Sequence, residues 1–329
     1  MFDIITIGTA TRDVFVKSKE FHVDNDHHVL GGKALAMPLG AKLEISEMHF
    51  GTGGGATNTA VTFARQGFRA AAICELGDDT GGGAVIRELK SEGVHTDFIR
   101  KSSKDSTGYS ILLHPEGGER TVLVHRGASE KFSYRGLPWD KMGAKWFYIS
   151  SLAGDVGFLK FLINFAKKKN ISIAYNPGGK ELKNRRALLP LLRHLQILIV
   201  NREEAALLTD VPFDNERKIF KKWDAASPGI NVMTDGPRGV WVSDGKYIYK
   251  AGIYPEKKVV DRTGAGDAFG SGFVAGFMRR GDVEYAMRLG SANATAKVEG
   301  VGAKYGLLTR RAFENSKRWR NLPMHQSDL

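Results

Sequence analysis

Six short apolar runs constrain this chain more than any other feature. IITIG (4–8), AAAICELG (70–77), WFYIS (146–150), ISIAYNP (171–177), ILIVN (197–201) and INVMTDG (230–236) are short, and their cores are nearly continuous in apolar residues. Strands of that kind need cover on both faces, which is the condition of a parallel sheet. The stretches between them supply the cover. GATNTAVTFARQGF (55–68), GGAVIRELKSEGV (82–94), VGFLKFLINFAKKKN (156–170), ALLPLLRHL (187–195) and REEAALLT (202–209) carry apolar residues at helical spacing. Strands alternating with helices in this way predict a doubly wound α/β domain.

Two stretches break the rhythm. Residues 11–50 hold period-two patterns (RDVFVKS, AKLEISEMHF) without a clear helix, and residues 97–126 hold TGYSILLHPEGGERTVLVH, two strands around a Pro-Glu-Gly-Gly turn. The expectation is a small antiparallel β lid built from 11–50 and 97–126, standing off an α/β body of residues 1–10, 51–96 and 127–329. Part of the 22–40 loop is expected to be disordered. A lid at the carboxyl ends of parallel strands would close over a binding crevice.

Charge and cysteine content remove several function classes. The 48 Lys+Arg against 36 Asp+Glu give a formal +12. The basic residues are scattered and not interleaved with aromatics, so a solvated surface is expected and no nucleic-acid partner. The single cysteine, Cys74, excludes an internal disulfide and a cysteine-based zinc site. The DNDHH stretch (24–28) reads as a polar loop rather than a metal site. The start lacks the features of a signal peptide and no apolar run reaches membrane-spanning length, so a cytoplasmic protein without a membrane partner is expected.

The chemistry is concentrated in DRTGAGDAF (261–269). Small residues enter the helical pattern DAFGSGFVAGFMRR, so this is a loop feeding a helix whose first-turn amides face outward. Glycines let an anion approach, and the helix dipole favours it. A carboxylate in the same turn, Asp267, would repel a resting anion. It suits instead a reaction that removes a proton from one partner while charge builds on another. Phosphoryl transfer from ATP to an alcohol has that form, with Asp267 as base and the amides of Gly264, Ala265 and Gly266 as anion hole. Taken alone, the same stretch is also what a plain helix cap looks like.

DRTGAGD resembles the D-T-x-G-A-G-D signature of the ribokinase-like (PfkB) carbohydrate and nucleoside kinases, departing at Arg262. GGGATNTAVTFARQG (53–67) is similar to that family's glycine-pair signature, and the two occur in the family's order. The resemblance spans nearly the whole chain and implies a ribokinase-like three-layer α/β/α fold. It implies Asp267 as catalytic base, and Asp13, Gly54, Gly55 and Asn58 as substrate-binding residues, with Arg126 a further candidate contact. NREE (201–204) is similar to the family's N-x-x-E motif, which implies Asn201 beside the nucleotide and Glu204 on Mg²⁺ through water. TDGPRG (234–239) looks like the family's nucleotide loop and implies Thr234, Gly236 and Gly239 at the ATP phosphates and ribose. Asn293 falls where the family borders its adenine pocket. Many members bind a monovalent cation, such as K⁺, near Asp261, Thr263 and a segment matched by VEGVGA.

The acceptor stays open at this stage. Gly55 stands where ribokinase-type members carry a lysine, which argues against phosphosugars. A small sugar ranks first. A nucleoside, stacking on Phe15, Phe50 or Tyr109, ranks second. The rival from another class is a non-catalytic sugar or nucleotide sensor on the same scaffold, which retention of Asp267 and Glu204 disfavours. The exposed face of the lid suggests a homodimer.

Overall fold

Nine strands form the central sheet of the computed structural model, which describes residues 1–29, 32–115, 120–130 and 132–329. From one edge the strands are Ala70–Ile73, Phe2–Ile7, Ala144–Ile149, Ser172–Tyr175, Ile197–Asn201, Ile230–Thr234, Val240–Ser243, Tyr247–Ala251 and Met324–Asp328. The first six run parallel and the last three are added antiparallel. All six apolar runs of the sequence therefore supply parallel strands.

Period-two packing shows why these runs are apolar throughout. Ile5, Ile7, Phe147, Ile149, Ile173, Tyr175, Leu198, Val200 and Met233 face one helical layer. Their neighbours Ile4, Tyr148, Ala174, Ile197, Ile199 and Val232 face the other. Each fully buried Ile, Leu or Phe contributes roughly 2–3 kcal/mol by leaving water. The first layer holds the helices Val156–Lys169, Arg185–Leu192, Arg202–Thr209 and Glu216–Ala226. The second holds Ala265–Arg280 and Val283–Val298, beside Gly55–Arg65 and Thr80–Ser91 at the far edge.

A separate four-stranded sheet has the order Thr121–His125, Gly108–His114, Thr11–Lys17, Glu47–Gly53. It was expected to be antiparallel, yet Thr11–Lys17 runs parallel to Gly108–His114. The chain between these two strands passes back through the body, which allows a same-direction return that a hairpin forbids. The outer pair, Gly108–His114 with Thr121–His125, is antiparallel. Its predicted Pro-Glu-Gly-Gly turn falls on 115–118, and 116–119 lie outside the described residues. Within the 22–40 stretch, His22–Asn25 pairs with Lys33–Ala36.

Helix starts point to where ligands go. Among the described helices of eleven or more residues, four have a side-chain cap, from Asp79, Asp155, Asn215 and Asp282. Two do not, and both begin at a glycine: Gly55–Arg65 after Gly54 and Ala265–Arg280 after Gly264. These two starts meet at the carboxyl edge of the parallel strands, the functional edge of such sheets.

Candidate active site

The two glycine-started helices use their free amides differently. Gly54, at φ 95°, lies so close to the first strand's exit that a Cβ would come 2.5 Å from Ala10 Cα. That approach lets Thr9 serve as an external cap: its carbonyl accepts from Ala56 N at 3.1 Å and its hydroxyl from Gly55 N at 3.2 Å. The helix start is thereby closed, and its role is to aim Asn58. Asn58 Nδ2 donates to Asp267 Oδ2 at 2.8 Å, across 209 residues of chain.

The helix at Ala265 stays open. Gly264 takes a left-handed φ of 77°, and a Cβ there would meet Ala303 Cβ at 2.8 Å. Ala265 N already donates to Arg262 O at 3.2 Å. This amends the expected anion hole of 264–266: the first-turn amides left without a hydrogen-bond partner among the described residues are those of Gly266 and Asp267. Asp267 itself is half-buried beside them. Burial raises its pKa above the ordinary carboxylate value; the Asn58 amide and the Lys304 charge pull it down, and Asp13 pushes it up.

Asp13 faces Gly51 and Ser110 in the register of the lid sheet. It is buried and accepts from Thr11 Oγ1 at 2.9 Å. Burial raises its pKa, against the hydrogen bond from Thr11 and the charge of Lys304. Gly53, not singled out in the sequence, presses directly on the Asp13 carboxylate, so any side chain there would displace it. A Cβ at Gly55 would strike Ser150 Cβ at 2.5 Å and lie 3.7 Å from Asp267 Oδ1. Asp13, Gly54, Gly55, Asn58 and Asp267 are thus one cluster.

Lys304 was also missed. Its buried ammonium donates to Thr52 O at 2.8 Å and to Thr52 Oγ1, and lies 3.5 Å from Glu88 Oε1. Burial lowers its pKa, opposed by Glu88, Asp13 and Asp267. The only sequence signal was a lysine inside an otherwise small-residue loop, GVGAKYG.

Two neighbouring cavities complete the arrangement. One, of about 270 Å³, is lined by Asn176, Asn201, Glu204, Thr234, Gly266 and Asp267, among others. Asn201 and Glu204 hold each other in a capping box: Asn201 N donates to Glu204 Oε2, and Glu204 N to Asn201 Oδ1, both at 2.9 Å. Burial raises the Glu204 pKa, the Asn201 amide lowers it and Glu203 raises it. Among the described residues no group of three or more metal-ligating side chains occurs. Two carboxylates on a polar cavity, one of them already held by Asn58, fit Mg²⁺ that keeps most of its water and do not fit a dehydrated protein cage.

The second cavity, of about 240 Å³, is lined by Thr234, Gly236, Gly239, Gly266, Ser291 and Thr295, among others. Thr234, Gly236 and Gly239 thus lie together as expected. Their loop is fastened from behind by Asp235, which accepts from Arg202 Nη1 at 2.8 Å and Arg238 Nη2 at 2.6 Å. Arg202, buried under the Phe213 ring and also bonded to Glu216, was read in the sequence only as part of NREE.

Two expectations need correction. Asn293 does not line this cavity. Its Nδ2 donates to Ala268 O at 2.7 Å and its Oδ1 accepts from Leu308 N at 2.8 Å, wholly buried. Helix phase is the reason: Ser291, Ala294, Thr295 and Val298 share the cavity face at helical spacing, and residue 293 points away. Arg126 is no such case: it follows the lid strand Thr121–His125 with an exposed side chain, on the substrate side with Asp13 and Asn58, which likewise lie outside both cavities. At Asp261 and Thr263, the oxygens expected to face a monovalent cation bond one another and Lys297.

A doubly wound body, a small β-sheet at its strand ends, and an acid beside an uncapped helix start define a ribokinase-like kinase fold. The sequence profile of the pfkB family carbohydrate kinase matches residues 1–310. The chain belongs to that family. It is 27% identical to a ribokinase of Haemophilus influenzae over 295 residues, covering 87% of this chain and 93% of that protein. It is 32% identical to a cytidine kinase of Thermococcus kodakarensis over 188 residues, covering 56% and 66%. In fold it matches Arabidopsis thaliana ribokinase complexed with ribose and ATP, with a TM-score of 0.80 at 20% identity over 97% of this chain and 99% of that one. It likewise matches a Methanocaldococcus jannaschii nucleoside kinase, with a TM-score of 0.73 at 20% identity over 96% and 98%. Among the described residues no helix is long and apolar enough to cross a membrane.

Proposed function

We propose that this kinase transfers the γ-phosphoryl group of ATP to a hydroxymethyl group of a small sugar. The observation that carries the proposal is the position of Asp267. It shares one cavity with Glu204 and Gly266, and its carboxylate is held by Asn58 from the glycine-pair helix. Asp267 takes the hydroxyl proton as the oxygen attacks phosphorus. The Gly264–Asp267 turn, through the amides of Gly266 and Asp267, receives the charge on the migrating group. Thr234, Gly236 and Gly239 border the nucleotide, with Asn201 at its phosphate end. Asp13, with Gly54 and Gly55 leaving room, accepts the sugar hydroxyls. Residues 11–50 and 97–126 act as lid, and residues 1–10, 51–96 and 127–329 bind the nucleotide.

Glu204 would hold Mg²⁺ through water, and the ion would supply neutralisation of phosphate charge. Glu204→Gln should raise the Mg²⁺ concentration for half-maximal rate by about tenfold or more. An unaltered Mg²⁺ titration would remove Glu204 from that role.

ADP release across a panel of pentoses, hexoses, sugar acids and nucleosides tests the reaction. The cytidine kinase relative favours a nucleoside as the second reading. One lid aromatic favours a sugar: Phe15 is buried against His114 and cannot stack on a base, while Phe50 stays exposed with Arg12 over its ring at 5.2 Å. If no acceptor turns over while ligands raise the melting temperature, the sensor reading replaces both.

The lid exposes Met48, Phe50, Leu123 and Val124. An apolar exposure of this kind supports a homodimer through the lid. Light scattering should give twice the chain mass, and Val124→Asp should halve it; a monomer throughout discards the dimer.

A further inference from the structure

Lys297 sits near the end of the Val283–Val298 helix with no exposed surface. Its Nζ donates to the Asp261 carbonyl at 2.5 Å and lies 3.6 Å from Asp261 Oδ2. The same carboxylate is otherwise saturated: Oδ1 accepts from Thr263 N at 2.8 Å and Thr263 Oγ1 at 2.6 Å, and Oδ2 from Gly302 N at 3.0 Å. Upstream, Val260 N donates to Val298 O at 2.7 Å. The ammonium therefore stands where the segment entering the catalytic turn crosses the segment leaving the helix. Those are the segments in which the family resemblance implied a monovalent cation.

The donor set there does not fit an added ion. An alkali ion is held by carbonyl and carboxylate oxygens, and here one carbonyl and one carboxylate already meet a positive charge. A second cation a few ångströms from a buried ammonium would be repelled without water to screen it. We infer that the Lys297 ammonium is a built-in monovalent cation that fixes the catalytic turn and makes the protein indifferent to K⁺.

The route from this charge to the reaction is short. Asp261 and Thr263 lead directly into Gly264, and Gly264 packs on Ala303, just beyond Gly302. The charge draws both segments together and so sets the angle at which the Gly266 and Asp267 amides face the cavity. Lys297 is a positioning residue. Burial lowers its pKa to about 8, with the Asp261 charge opposing, so it is mostly charged at neutral pH.

The test compares melting temperature and ADP formation in potassium, ammonium and tetramethylammonium chlorides at equal ionic strength. The activity arm rests on the kinase reading; the melting arm needs no substrate and decides the cation question even if no acceptor is found. Unaltered protein should melt at the same temperature in all three salts, with rates that agree within about twofold. Lys297→Ala, which opens space for an ion, should lose about tenfold or more in tetramethylammonium and recover in K⁺ or NH₄⁺. Lys297→Met removes the charge but fills the space, so it should lose activity and not recover. Stabilisation or severalfold activation of the unaltered protein by K⁺ overturns the inference. So does a Lys297→Ala protein that is fully active in tetramethylammonium, or inactive alike in all three salts. Should neither variant fold in any salt, the unaltered protein decides alone.

Discussion

Asp267→Asn is expected to lower turnover by about 10³–10⁴-fold while leaving the affinity for ATP within a factor of about two. The amide is isosteric and can still pair with Asn58 after a flip, so the fold and the nucleotide cavity persist. It cannot accept the acceptor's proton. The pH profile gives a second readout. Burial holds the Asp267 pKa above the ordinary carboxylate value, against Asn58 and Lys304, with Asp13 adding to the rise. The base works only when ionised, so kcat/KM should climb with pH through a value above that of a free aspartate. That acid limb should vanish in the residual activity of Asp267→Asn. A variant with unaltered turnover would falsify the assignment of Asp267 as base.

Gly264→Ala is the second large effect. The residue combines a φ of 77° with a Cβ direction that runs into Ala303. Left-handed backbone costs an alanine about 1–2 kcal/mol, and the clash demands movement of the catalytic turn in addition. Displacing amides that receive transition-state charge lowers kcat by about 10²–10³-fold in comparable sites. The folded protein should therefore melt a few degrees lower and turn over far more slowly, with a smaller change in KM for the sugar. If kcat falls no more than stability predicts, the turn does not stabilise the migrating phosphoryl group.

Much of the architecture was legible because it follows from neighbours in sequence. An apolar run flanked by helical periods has few ways to bury both its faces, and all six became parallel strands. The start of a helix at glycine without a cap was likewise local. What failed was local reasoning carried too far. Ala265 was counted as a free amide, but Arg262 O turns back to meet it. The family resemblance places Asn293 at the adenine pocket, whereas the phase of its helix turns it into the packing against Ala268. The parallel pairing of Thr11–Lys17 with Gly108–His114 depended on the route of ninety intervening residues through the body.

The residues the sequence hid are charges whose partners lie far along the chain. Lys304 meets Thr52 and Glu88, and Arg202 fastens Asp235 and Glu216. As letters, each was one more basic residue in a chain of net +12.

The order of residues alone determined the layered body, the turn with its neighbouring acid, and the class of chemistry those can perform. Only the tertiary structure decided which charges are buried, what satisfies them, and which amides remain open. Backbone preference and hydrophobic period act within a few residues. A buried charge is stable only opposite a partner brought close by the whole fold, in surroundings that exclude water.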